Sequence, residues 1–206
     1  CDVKHEHGGL GVPRLTGAVG RADAIVACVG LTPLMEGEEN DAPLSDVLGD
    51  RTSLALPAPQ RALLEKLFEA GPPVILVLTG GSALAIPDEH ERAAAVVETW
   101  YPGQAGGAAL ADVLFGDVSP AGRLPLTFPR SEEQLPPFEE YRMQGRTYRF
   151  MEEDPLYPFG FGLSYTRFAY RALRTDRAEL GPDDPLEAVV TVEIAVARDG
   201  DVLVQI

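Results

Sequence analysis

Two short unbroken apolar runs, Ala24 to Val29 (AIVACV) and Val74 to Leu78 (VILVL), each stop at glycine, the first at Gly30 and the second at Thr79-Gly80-Gly81. Such runs, five or six residues long and rich in β-branched side chains, are the pattern of strands covered on both faces in a parallel sheet. Between them Pro59 to Ala70 (PQRALLEKLFEA) sets Leu63, Leu64, Leu67 and Phe68 on one face of a helix, closed by Gly71 and Pro72. A parallel pair needs such a crossover, so the three segments predict one strand-helix-strand unit. Ala95 to Tyr101 (AVVETWY) predicts a third strand, and Ala108 to Phe115 (AALADVLF) a helix stopped by Gly116. The expected fold class is α/β, a mostly parallel sheet sandwiched by helices.

The texture changes outside this alternation. Residues 1 to 20 are glycine-rich without an apolar period and read as a connecting segment. From Pro120 to Pro158 the chain is rich in proline and aromatic residues; Phe138, Tyr141, Tyr148, Phe150 and Tyr157 predict ordered wrapping rather than a linker, with Arg123 to Phe128 as an edge strand. Leu186 to Val196 (LEAVVTVEIAV) and Val202 to Ile206, joined by Arg198-Asp199-Gly200-Asp201, predict a hairpin of a truncated β-sandwich segment. The expected organisation is therefore 1–20 as connector, 21–170 as the α/β domain and 171–206 as the start of an all-β domain. Cys1 at one end and an apolar run at the other are expected to be cut ends.

Composition narrows the function. A formal net charge of −15 disfavours phosphate-tracking surfaces, so no nucleic-acid partner is expected. No stretch of 18 apolar residues occurs, so no membrane span is expected. Two cysteines, Cys1 and Cys28, cannot make a disulfide framework or a CxxC metal site. His5 and His7 share one side of an extended segment but lack a second ligand pair, and His90 stands alone; all three read as surface histidines, and no metal or other cofactor is expected. Ser82 and Ser164 lack a GxSxG elbow. Trp100-Tyr101-Pro102-Gly103-Gln104 with Gly106-Gly107 lacks the GK[ST] ending of a phosphate loop and reads as a helix N-terminus, which leaves a nucleotide-binding role poorly supported.

The densest chemistry follows the first strand, Gly30 to Asp41 (GLTPLMEGEEND). Ligands of open parallel sheets bind at the carboxyl ends of strands, and this acidic loop lies at one. A carboxyl beside Leu34 and Met35 can be desolvated enough to hold a proton for donation; a solvated acidic loop or a calcium site is the alternative.

The strings VGLTPLMEGEE, GDRTSLALPAPQ, WYPGQAGGAALADVLFGDVSPAGRLPLTFPRS, GRTYRF and PLYPFGFGLSYTRF, in that order over about residues 20 to 170, resemble the C-terminal half of β-xylosidases and β-glucosidases of glycoside hydrolase family 3. The resemblance implies an upstream (β/α)8 barrel on the same full-length chain, an α/β sandwich here, and a fibronectin type III-like domain beginning near residue 171. It implies hydrolysis of β-linked xylo- or gluco-oligosaccharides and glycosides with retention, in which a barrel aspartate attacks the anomeric carbon and a glutamate of this domain acts as acid and then base. That glutamate belongs to the loop upstream of Gly49-Asp50-Arg51, where Glu36, Glu38 and Glu39 are available. Glu36, followed by Gly37, is the candidate general acid/base, with Glu38 in reserve. A non-catalytic carbohydrate-binding or scaffold module of the same fold is the alternative.

Overall fold

A computed structural model describes residues 19–38, 40–45, 47–195 and 198–204. The chain divides into two compact units, Cys1–Gly106 with Leu126–Phe159, and Gly107–Pro125 with Gly160–Ile206.

The first unit holds three parallel strands in the order β1-β2-β3: β1 (Ile25–Gly30), β2 (Val74–Thr79) and β3 (Ala95–Glu98). Helix α1 (Ala58–Glu69) makes the crossover from β1 to β2, and α2 (Pro87–Arg92) the crossover from β2 to β3. Proline near the first turn of α1 supplies a preset backbone angle at no hydrogen-bond cost, and Gly71, at φ +102°, lets the chain leave the helix where a side chain would resist. Leu64 and Leu67 bury the inner stripe of α1, which packs against β1. Leu76, Val77 and Leu78 of the central strand are buried, as are Leu84, Ile86 and Phe128. This is the α/β arrangement that the apolar runs predict.

Two details depart from expectation. β1 is not covered on both faces: Val26 is 49% exposed and Cys28 is exposed too, because α1 packs against β1 while nothing among the described residues covers the face of Val26 and Cys28. β3 is shorter than the apolar run suggests, since Trp100 takes φ +54° and turns the chain away two residues after Glu98. The run Arg123 to Phe128 forms no strand among the described residues; Phe128 makes a single antiparallel bridge with Tyr157, and Pro125 has no amide hydrogen to extend a ladder.

Gly30 joins the sheet to the acidic loop. Its φ is +136°, and a Cβ there would lie 1.9 Å from the Thr79 carbonyl oxygen. Both its backbone groups are held by Gln60 of α1, whose Oε1 accepts from the Gly30 amide and whose Nε2 donates to the Gly30 carbonyl, each at 2.8 Å. Gly30→Ala is therefore expected to destabilise the fold by about 3 kcal/mol, from strain and displacement of the neighbouring strand. A lower denaturation midpoint in urea would show it; an unchanged midpoint would disprove the steric argument.

The second unit contains α3 (Gly106–Phe115) apart from its first residue, and an antiparallel pair, β4 (Phe168–Thr175) and β5 (Ala188–Ile194). The ladder is interrupted between Arg171 and Arg174, where Ala172 has φ +50°, as at a bulge. β5 pairs upstream with β4, and among the described residues 201–204 carry no strand, the rest of the expected run to Ile206 lying outside them. The Thr166 hydroxyl donates to the carbonyls of Arg198 and Asp199 at 3.0 and 3.1 Å, tying that turn to the start of β4.

Candidate active site

The carboxyl ends of β1, β2 and β3 lie side by side, and the segments leaving them converge on one carboxylate. After β1 the chain makes a single helical turn, with the amides of Met35 and Glu36 donating to the Thr32 carbonyl at 2.8 and 3.1 Å. That turn brings the Glu36 side chain back over the sheet end. After β2, Gly81 allows a close approach: a Cβ there would stand 3.0 Å from the Tyr101 ring and 3.1 Å from Glu36 Oε1. After β3 the bend at Trp100 carries Tyr101 across.

Glu36 Oε1 accepts from the Gly81 amide and from the Tyr101 hydroxyl, the latter at 2.5 Å. Oε2 accepts from the Ser82 hydroxyl at 2.6 Å and faces Arg51 Nε at 3.5 Å. The Glu36 and Arg51 side chains are only 11% and 13% exposed. Arg51 in turn donates through Nη2 to Ser82 Oγ and to the Ala83 carbonyl, both at 2.8 Å. Its place is set by the following residues, where Ala55 bridges Ala85 and Glu132 Oε1 accepts from Ser53 Oγ at 2.6 Å.

Electrostatics follow from this geometry. Burial pushes the Glu36 carboxyl up, but donation by Ser82, Tyr101 and Gly81 together with the Arg51 charge outweighs it, so Glu36 titrates below its ordinary range. Burial draws the Arg51 guanidinium down against the opposing pull of Glu36. The Tyr101 phenol is raised, by burial first and then by its bond to Glu36, and so remains a neutral donor. A carboxylate that accepts three hydrogen bonds and faces a guanidinium is held ionised.

Glu38, two residues on, is exposed, and its side chain has no hydrogen-bond or ion-pair partner among the described residues. Its carbonyl accepts from the Asp41 amide at 2.9 Å, within a loop also closed by Asn40 to Leu48 and Leu44 to Leu34 backbone bonds. Glu39, His5 and His7 lie outside the described residues. His90 is at the surface, as expected, and its Nδ1 is 2.6 Å from the Tyr157 hydroxyl. Ser164 pairs with Ser119 at 3.0 Å. The structure thus adds Arg51, Gly81, Ser82 and Tyr101 to the loop residues singled out by sequence. Arg51 ends the GDR string and Tyr101 lies in the WYPGQ string, but neither string says that its side chain meets Glu36.

Residues 13–165 match the model of the glycosyl hydrolase family 3 C-terminal domain, and the chain belongs to that family. A xylan 1,4-β-xylosidase of Xylanibacter ruminicola is 45% identical over 177 residues, which cover 85% of this chain and 20% of that protein. A periplasmic β-glucosidase of Salmonella typhimurium is 38% identical over 91% of this chain and 25% of its own length. Among solved structures, a β-glucosidase from Erythrobacter marinus superposes with a TM-score of 0.73 at 38% identity, covering 91% of this chain and 25% of that one. A mutant β-glucosidase from Listeria innocua in complex with laminaribiose gives 0.68 at 25% identity, over 91% and 26% of the two chains. The chain spans a fifth to about a quarter of these relatives.

Proposed function

We propose that this chain is the acid/base-bearing part of a retaining β-glycosidase that removes xylose or glucose from the non-reducing end of β-linked oligosaccharides and glycosides. The observation that carries the reading is the loop at the carboxyl end of β1. It presents Glu38 with no side-chain partner among the described residues, beside a carboxylate, Glu36, that is held by Arg51, Ser82, Gly81 and Tyr101. A general acid must reach the leaving oxygen and surrender its proton there, which suits Glu38. A carboxylate held ionised by three hydrogen bonds and the Arg51 charge is suited to fixing the loop, and that is the part given to Glu36.

In this reading a nucleophilic aspartate on an upstream (β/α)8 barrel attacks the anomeric carbon as Glu38 protonates the departing oxygen. Glu38 then takes a proton from the water that releases the sugar from the aspartate. Proton transfer and covalent displacement need no cofactor. The names of the β-xylosidase and β-glucosidase relatives support both candidate sugars.

Retention requires two carboxyl groups about 5 Å apart, one of them on the barrel, so the 206-residue chain alone is expected to release no aglycone from aryl β-xylosides or β-glucosides. The full-length protein should hydrolyse one or both, with the β-anomer appearing first by proton NMR. Sugar binding without hydrolysis by the full-length protein would point instead to a carbohydrate-binding module, and the α-anomer first would refute retention.

A further inference from the structure

One half-buried carboxyl near the site has no part in that mechanism. Glu98 ends β3, and its Oε1 accepts from the Trp100 amide at 2.9 Å. Its Oε2 is buried with no hydrogen-bond partner among the described residues. The bond spans a bend that a bulky side chain resists, since Trp100 is held at φ +54°. The same bend is pinned from β2, where the Thr99 amide and hydroxyl both donate to the Leu78 carbonyl, at 2.9 and 2.7 Å. The next residue is Tyr101, whose hydroxyl reaches Glu36.

We propose that Glu98 is a positioning residue: by capping the Trp100 bend it aims Tyr101 at Glu36, and through Glu36 it holds the loop that presents Glu38. The proposal rests on the reading of that loop as the acid/base segment.

The environment of Glu98 makes its action depend on pH. The charged group bearing on it is Glu36, across the sheet end and itself paired with Arg51; no cation among the described residues pairs with Glu98. Burial raises its carboxyl to about 7, the Trp100 amide opposes this, and the negative Glu36 adds to it. In mildly acid solution Glu98 is therefore neutral and can cap Trp100 through its carbonyl oxygen. Above neutrality it becomes a second negative charge in a buried place beside Glu36, which works against the arrangement it supports.

The test uses the full-length protein and a β-linked disaccharide. Glu98→Ala removes the cap and should lower kcat about tenfold with little change in KM, because a displaced loop costs alignment rather than binding. Glu98→Gln keeps an uncharged acceptor for the Trp100 amide and should restore kcat to within about twofold at about pH 5.5, and should carry the alkaline limb of the kcat profile upward by about half a pH unit or more. If Glu98→Gln is as impaired as Glu98→Ala, or if its alkaline limb coincides with that of the parent, the proposal is wrong. Should Glu98→Ala fail to fold, the glutamine profile decides alone. An inactive parent protein would instead sink the glycosidase reading.

Discussion

Glu38→Ala in the full-length protein is expected to slow hydrolysis of β-linked disaccharides by about 10²–10⁴-fold, the usual contribution of a positioned general acid. The loss should shrink as the leaving group improves. A dinitrophenolate departs without a proton, so formation of the glycosyl-enzyme from a dinitrophenyl glycoside should run at close to the parent rate. Its breakdown still needs a base to activate water, and the intermediate should accumulate. Azide, already a charged nucleophile, needs no base and should restore turnover by giving a β-glycosyl azide. We propose this behaviour for Glu38 because Glu36 has both oxygens engaged while Glu38 has neither engaged by a described residue. The reverse pattern, with leaving-group dependence and azide rescue in Glu36→Ala and near-normal kinetics in Glu38→Ala, would return the proton to Glu36.

Much of the fold was legible because it is written in local pattern. VILVL stops at Thr79-Gly80-Gly81, α1 carries its apolar stripe between Pro57 and Gly71, and both signals depend only on neighbours in the chain. The acidic loop was legible for the same reason, as the segment leaving a strand end. What its carboxylates do was not. The donors that separate Glu36 from Glu38 come from Gly81, Ser82 and Tyr101, which lie 45, 46 and 65 residues away. The Glu36-Gly37 step favours Glu36 through the family resemblance, and spacing along a loop does not show which carboxyl finds donors across a sheet end. Ser82 shows the same limit. The lack of a nucleophile elbow excludes it as a nucleophile but is silent on its hydroxyl as a donor to a carboxylate. The pairing of β5 with β4 was missed because strand partners are not written in local pattern, and the segment upstream of β5 was not read as a strand.

Glu36→Ala should have the larger effect on stability. Arg51 is 13% exposed and Glu36 is its acidic partner in the site, so truncation leaves a guanidinium buried beside an uncharged methyl group. Breaking a buried pair from one side costs about 3–5 kcal/mol, because the remaining charge loses its compensation while keeping its desolvation penalty. The loss should appear as a lower midpoint in urea. Glu36→Gln keeps an oxygen for Gly81 and Tyr101 but turns an amide towards Ser82 and Arg51, so it should recover only part of the stability. The pH dependence has a definite sign. The folded Glu36 carboxyl titrates below its ordinary value of 4.5, so its stabilisation is complete above that value and is lost as pH falls through the lower folded value. The stability gap between parent and Glu36→Gln should therefore be full at neutral pH and close on acidification below about pH 4.5, where the parent also carries an uncharged side chain. Kinetically, Glu36→Ala in the full-length protein should lower kcat for activated and natural substrates alike, with no azide rescue, since a loosened loop misplaces the donor without removing it. A gap that stays constant into acid would mean that Glu36 is not the ionised anchor of the network. A loss confined to poor leaving groups would mean that it is the proton donor after all.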